Sequence, residues 1–458
     1  VRVAIFLDHD IICRNFVISG GFAELSARHE VTYVFPDDAL RRVTIDPGTL
    51  PLGGNHTRLA TDPKRQQTWR WMLFADQLRL RPGSHEAAVR RLRRRTLGWK
   101  ASVLLTLAGF PVLSTFFEKF ARARLAARPN VAMTDFLRSG KFDVVVHPSV
   151  LEGVFINDLV AACRETGIPL VVAMNSWDNP STKRAVVGMP DRILVWGPQT
   201  REHTVRFIGM RPENVTCFGA PQFDVFRNPP RYGRDAFRAR LGVESGKFLI
   251  LVAGANTQTD EVATLEMIDR AIDAGRLGNA AVVYRPHPWG GGGKGGTRLA
   301  DLRLRNVVFD PTMLDYIAAI AAGNSGISLP DSRDSHELLS HVDAVVSPMS
   351  TMLLEATMHG KPIIAFSPDD KLAGGSNYQS LPMLYFDTFL ALPDIRLART
   401  GAELLTEMEA LMKPGVAVAR GAALAAATAG FVTPFDRPWA SRIVDYLVEL
   451  SASRRPAN

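Results

Sequence analysis

The chain has 458 residues, enough for two or more domains, and 46% of them are hydrophobic, an ordinary share for a globular protein. Lys and Arg outnumber Asp and Glu 54 to 46, and the pI near 9.6 points to an anionic partner: a nucleotide, an anionic lipid or a nucleic acid. No apolar run reaches the twenty or so residues of a spanning helix, and Cys13, Cys163 and Cys217 lack metal-binding spacing, so they read as buried free thiols of a reducing compartment.

In chain order, residues 1–7 read as a strand and not as a secretory core, which gives a cytoplasmic expectation. Asp8, His9 and Asp10 form a polar turn at its carboxyl end. A helix is expected over 13–28, loosened at Gly20 and Gly21, and a second strand over 30–35. Residues 46–58 are rich in Pro and Gly and read as a loop. From about 37 to 140 the pattern becomes a helical insertion. Between 58 and 138 it carries 17 Lys/Arg against 5 Asp/Glu, with Trp69, Trp71, Phe74, a basic run at 89–95, Trp99, and an apolar face at 109–120. That composition fits either a solvated basic face on core-packed helices or contact with anionic lipid headgroups. No recognised nucleic-acid motif accompanies it, so nucleic acid is not expected as a partner.

Strand and helix then alternate again. Buried strands are expected over 142–147 and 168–173, with Glu152 on the first exit loop and Asp178 and Lys183 on the second. Further strands follow at 190–196 and 215–219. The sequence N-P-P-R at 228–231 is the best linker. A second α/β set opens with a strand over 248–252 and a small-residue turn at Gly254, where backbone could approach a phosphate. The strand over 281–284 ends in Arg285-Pro286-His287-Pro288, whose prolines hold the histidine in an extended loop. The glycine-rich stretch 289–296 lacks the G-K-[ST] of a Walker motif. The stretch 341–366 reads strand, turn, helix, turn, strand. Ser350 or Thr351 caps the helix, whose free N–H groups favour an anion, and Glu355 stands where it could accept from a ribose or sugar hydroxyl. Met352, Leu353, Ala356 and Thr357 are expected on its core face.

The fold class is therefore α/β: two Rossmann-like domains facing across a cleft, with a basic helical insertion in the first. The expected boundaries are 1–228 for an acceptor domain, 229–435 for a donor-nucleotide domain, and 436–458 for a C-terminal helix packing back toward the first.

Six segments carry a family resemblance: N-S-W-D-N-P-S-T-K at 175–183, P-D-R-I-L-V-W at 190–196, F-G-A-P-Q-F-D at 218–224, R-P-H-P at 285–288, S-P-M-S-T-M-L-L-E at 347–355 with G-K-P at 360–362, and F-D-R-P-W-A-S-R-I at 435–443. In this order they resemble the two-domain (GT-B) nucleotide-sugar transferases, most closely the CDP-glycerol glycerophosphotransferase and surface-carbohydrate biosynthesis branch. Where that branch commonly has D-Y-S-S, this chain has S-P-M-S-T. The resemblance implies that His287 lies at the donor phosphates, that Ser350 and Thr351 bind phosphate, and that Glu355 is near the ribose or sugar.

The chemistry such a site needs is twofold. A departing diphosphate must be neutralised, here by Arg285, His287, the helix start at Ser350–Thr351 and Lys183. No D-x-D sits at a strand end in the second half, so no metal and no cofactor beyond the donor is expected. An acceptor hydroxyl needs a base, with Glu152, Asp178, Asp10 and His9 as candidates. The expected function is transfer of a sugar or polyol-phosphate from a nucleotide-sugar or CDP-polyol donor to a glycan or lipid-linked acceptor in envelope polysaccharide synthesis, by a cytoplasmic protein held peripherally on an anionic membrane. The alternatives are a UDP-sugar 2-epimerase of the same fold and a non-catalytic anion- or lipid-binding adaptor.

Overall fold

A computed structural model describes residues 1–37, 45–149, 151, 153–183, 188–254, 260–288, 299, 301–322, 330–368 and 383–453. The chain forms two compact units, Val1–Asp224 with Gly430–Asn458, and Val225–Asn324 with Ser328–Ala429. The first is built on a parallel sheet of β1 (Arg2–Phe6), β2 (Glu30–Pro36), β3 (Asn55–Leu59), β4 (Val144–Ser149), β5 (Leu170–Met174), β6 (Arg192–Val195) and β7 (Val215–Cys217), in the order β3-β2-β1-β4-β5-β6-β7. The second is built on β8 (Phe248–Ala253), β9 (Ala280–Arg285), β10 (Val307–Phe309), β11 (Ala344–Ser347), β12 (Ile363–Phe366) and β13 (Arg396–Ala398), in the order β10-β9-β8-β11-β12-β13, also parallel. Each unit is thus Rossmann-like, as expected, and in each sheet the strand order reverses once: between β1 and β4, and between β8 and β11.

The central strands are apolar along their length because helices cover both faces of a parallel sheet. Val144–Val146, Val171–Ala173 and Leu249–Val252 are buried accordingly. One strand departs from expectation. β3, N-H-T-R-L, lies where a Pro/Gly loop was expected. It is a largely exposed edge strand, so burial imposes no apolar pattern on it. The first helix is also shorter than expected. Asp10–Ile12 passes into a π-helical turn, Cys13–Ile18, and helix resumes only at Ala23–Arg28. In the helix Thr351–Met358 the buried face holds Leu353, Leu354, Ala356 and Thr357; Met352 is half-buried.

Between β3 and β4 lie five helices, Pro63–Leu78, Ser84–Thr96, Trp99–Ala108, Pro111–Ala126 and Val131–Gly140. The first starts cleanly because Pro63 needs no donor and Asp62 accepts from the N–H groups of Lys64 and Arg65. One buried network ties this insertion to the α/β body. Asp158, on the helix Ile156–Thr166, accepts from Arg65 Nε (3.1 Å) and Nη2 (2.5 Å), Trp69 Nε1 (2.9 Å) and Asn130 Nδ2 (2.9 Å). Arg65 Nη1 also donates to the Leu125 carbonyl at 2.7 Å.

The last helix, Trp439–Ala452, belongs to the first unit. Its Trp439 ring packs edge-on against Phe16, Phe22 and Phe218 at 5.5–5.7 Å, and the Trp439 backbone N–H donates to the Asp224 carboxylate. Ser441 donates to Glu24 and Arg442 to the Phe218 carbonyl. The second half of the 435–443 segment is thus an intramolecular clasp on the first unit.

His203, closing the helix Pro198–His203, is buried edge-on against Phe207. Burial, helped by His85 and Arg206, pushes its imidazole down to about 4. In the unfolded chain a histidine titrates near 6.5, so between these values the unfolded state binds the extra proton. The contribution of a neutral His203 is complete above pH 6.5 and is lost as pH falls toward 4. Replacing His203 by Phe should flatten this acid limb. Thermal midpoints taken at pH 7, 6 and 5 should fall less for the variant than for the parent, and parallel curves would refute the coupling.

Candidate functional site

In open parallel sheets, ligands bind outside the carboxyl ends of the strands where the order reverses. In the first unit that place is the end of β1 beside β4. The Phe6 carbonyl accepts from His147 Nδ1 at 2.9 Å, and His147 Nε2 lies 3.6 Å from an Asp8 carboxylate oxygen, with both side chains fully buried. Burial holds His147 below its ordinary value, opposed by Asp8. Gly153 closes over the pair: a Cβ there would stand 1.6 Å from the Asp8 carboxylate, so no side chain fits. Asp10 is buried at the head of the short helix that follows β1. Asn15, on the π-helical turn, donates to Asn175 at the exit of β5 at 2.9 Å. π-turns and non-glycine residues at positive φ concentrate at functional sites. Both occur here: Leu151 sits at φ 65°, its N–H held by Ser149 Oγ.

Glu152, a candidate base, lies outside the described residues. Asp178 is half-buried at the β5 exit, and its carboxylate accepts from Asn179 Nδ2 at 3.1 Å and Thr182 Oγ1 at 3.4 Å. Lys183 follows the same short helix, Asn179–Thr182. The helical insertion reaches this exit directly, with Gln77 Nε2 on the Thr182 carbonyl at 2.7 Å and the His85 ring on the Ser181 carbonyl at 3.2 Å.

In the second unit the reversal falls between β8 and β11, with β9 on the other side of β8. Pairing of Ala253 with Arg285 and of Val252 with Val346 brings the three exits level. Gly254 and His287 meet there. A Cβ on Gly254 would stand 2.9 Å from the His287 backbone nitrogen and 2.8 Å from a Glu261 carboxylate oxygen. The glycine therefore admits the neighbouring loop and a carboxylate where a side chain would stand. Glu261, opening the helix Glu261–Asp273, accepts from the Tyr284 hydroxyl at 2.5 Å and pins this corner.

Arg285, at the end of β9, has its own partners. Its guanidinium is buried, ion-paired with Asp310 and within 3.5 Å of Ser335 Oγ, so its charge is met inside the fold. Ser350 is the N-cap of Thr351–Met358, with its hydroxyl 2.9 Å from that of Ser347. Thr351 and Glu355, four residues apart, share one face of that helix. Behind Glu355 runs a histidine pair that the sequence reading did not include. The Glu355 carbonyl meets His359 Nδ1 (2.7 Å), His359 Nε2 meets His336 Nδ1 (2.9 Å), and His336 Nε2 meets the Asn228 carbonyl (2.9 Å), with the Phe226 ring packed on both imidazoles. Burial pushes His359 down to about 4. Among the described residues no cluster of three or more His, Cys, Asp or Glu side chains is placed to hold a metal ion.

No protein-family model and no curated protein matches the chain. Solved structures do. A Listeria monocytogenes protein described as a UDP-N-acetylglucosamine 2-epimerase aligns over 99% of this chain and 98% of its own, at TM-score 0.55 and 12% identity. The Neisseria meningitidis UDP-GlcNAc 2-epimerase bound to UDP-GlcNAc aligns over 98% and 100%, at TM-score 0.49 and 11% identity. The wall teichoic acid polymerase TagF aligns over 99% and 89%, at TM-score 0.48 and 10% identity. At such identities the likeness is one of fold, and the first of the three carries it. The chain has a GT-B-type fold of two Rossmann-like units.

Proposed function

We propose that this protein is a transferase that moves a sugar or polyol-phosphate from a nucleotide-activated donor to a glycan or lipid-linked acceptor of cell-envelope polysaccharide. The observation that carries this reading is the level alignment of three exits at the second unit's reversal point: Gly254, His287 and the Ser347–Ser350 turn that opens a helix N-terminus. That corner suits a diphosphate, because helix N–H groups and dipole favour the anion. In this reading His287 stabilises the leaving phosphate, Ser350 and Thr351 hold it, and Glu355 orients the ribose or sugar. Arg285 fixes the β9 exit from behind. In the first unit, Asp178, the more exposed of the described candidate carboxylates, is the candidate base for an acceptor hydroxyl, with Asp10 and Glu152 as the alternatives. No metal is required in this scheme.

The test is in two steps. Thermal scans with CMP, CDP, UDP, GDP and dTDP should single out one nucleotide that raises the midpoint, since a ligand at a hundred times its Kd adds about 2.7 kcal/mol to the native state. With the matching donor, His287→Ala should lower kcat/KM by roughly 10²–10³, the usual cost of one charge-stabilising donor, without lowering the unliganded midpoint. Unchanged turnover would remove His287 from the donor site. The fold shared with a Listeria protein described as an epimerase supports 2-epimerisation as a second reading. Epimerised product from UDP-N-acetylhexosamine alone, without acceptor, would establish it in place of transfer.

A further inference from the structure

Most of the large apolar side chains that the described residues leave exposed come from one short stretch. Trp99, Leu104, Phe110, Val112, Phe116 and Phe120 are each between 41% and 74% exposed. They lie on two consecutive helices, Trp99–Ala108 and Pro111–Ala126, and on Phe110, the N-cap of the second; the reason for the break between them is local. Gly109 closes the first helix on the Leu105 and Thr106 carbonyls, and Pro111 opens the second where its missing N–H costs nothing. The pair bends by 103°. Its inner side is ordinary core: Leu105, Ala121 and Leu125 are buried against Trp69, Met72, Ala75 and Leu78 of the helix Pro63–Leu78. The outer side has no such cover among the described residues, and a patch of this kind marks an interaction surface.

The exposed charges that adjoin the patch along the chain, its rim, are mostly basic: Arg91, Arg94 and Arg95 on the helix Ser84–Thr96, with Lys100, Lys119 and Arg122 on the patch helices, against the single acid Glu118. The remaining arginines of the run are engaged internally: Arg90 donates to the Arg81 carbonyl at 2.9 Å, and Arg93 donates to Gln77 at 2.6 Å and stacks over Phe74 at 4.1 Å. We infer that the outer face of Trp99–Ala108 and Pro111–Ala126 docks into the headgroup layer of an anionic lipid leaflet, with the basic rim on the phosphates. Apolar centre and cationic rim together match that surface. A second copy of the chain would bring rim against rim, like charge on like. The helices are about 15 and 24 Å long at 1.5 Å per residue, short of a 30 Å hydrocarbon core, and sharply bent, which suits lying in the interface over crossing it. No single helix among the described residues is long and apolar enough to cross a membrane. This inference does not rest on transferase activity.

Co-sedimentation of the full chain tests it, with vesicles of phosphatidylcholine alone and of phosphatidylcholine with phosphatidylglycerol. Binding should require phosphatidylglycerol and weaken with salt. The Arg91→Ser, Arg94→Ser, Arg95→Ser variant should lose on the order of a hundredfold in partitioning, at about 1 kcal/mol per charge near the surface. Leu104→Asp with Phe116→Asp should abolish binding even at low salt; both positions are exposed, so the thermal midpoint should hold. Brominated lipid should quench part of the tryptophan fluorescence, and Trp99→Ser should remove that part. Equal sedimentation with both vesicle types, none with either, or a dimer in the ultracentrifuge that Phe116→Asp dissolves while vesicles bind nothing would each overturn the assignment.

Discussion

Replacing Asp158 by alanine should destabilise the first unit by about 3–5 kcal/mol, the usual result of breaking a buried ion pair from one side. The Asp158 and Arg65 side chains are 1% and 6% exposed, and the carboxylate satisfies Trp69 and Asn130 as well as Arg65. Without it a guanidinium is left buried with only backbone carbonyls to meet it. Tryptophan fluorescence will report the effect where it occurs, since Trp177, Trp196 and Trp439 are all buried in that unit. The urea midpoint should fall by about 1 M or more. Arg65→Met with Asp158→Leu should recover much of the loss, because well-packed apolar groups often replace buried ion pairs without penalty. A midpoint change within error for Asp158→Ala would mean the insertion is held by its apolar contacts alone.

Gly254→Val should remove nucleotide binding while leaving the second unit folded. The new Cβ meets a backbone nitrogen and a pinned carboxylate, neither of which can swing aside as a side-chain tip could. The His287 loop must move, and displacements near 1 Å at a binding site cost about a hundredfold. The nucleotide-dependent rise in thermal midpoint should therefore vanish. Gly233→Ser is the control: among the described residues nothing lies within 4 Å of a Cβ there, and serine is a good helix cap for Arg234–Leu241. Retained nucleotide stabilisation in Gly254→Val would place the nucleotide elsewhere.

The sheet interiors were legible because buried parallel strands announce themselves: V-V-V before His147, L-V-V-A before Met174, F-L-I-L-V-A before Gly254. The exits followed, and with them His287, Ser350 and Asp178 at strand ends. β3 was missed because an exposed edge strand obeys no burial pattern. Asp8 and His147 were passed over as members of their strand and turn, although an ionisable group at the end of an apolar run was a usable signal. The contacts of Arg285 and Gly254 were not legible for a different reason. Their partners, Asp310 and Glu261, lie in other elements, and no periodicity within a segment encodes a contact between segments. The histidine pair behind Glu355 belongs to the same class: His336 and His359 are 23 residues apart and share only a helix-to-helix contact.

The clasp made by Trp439 also governs the order in which the protein can assemble during synthesis. Asp224 and Trp439 are 215 residues apart, and the whole second unit is made between them. At 5–20 residues per second, roughly ten to forty seconds pass before the ribosome delivers the partner of Phe16, Phe22 and Phe218. The nascent first unit must wait through that interval with an aromatic pocket open to water, while the second unit has every residue it needs to fold. The inserted unit can therefore finish first, and the one that began the chain closes last.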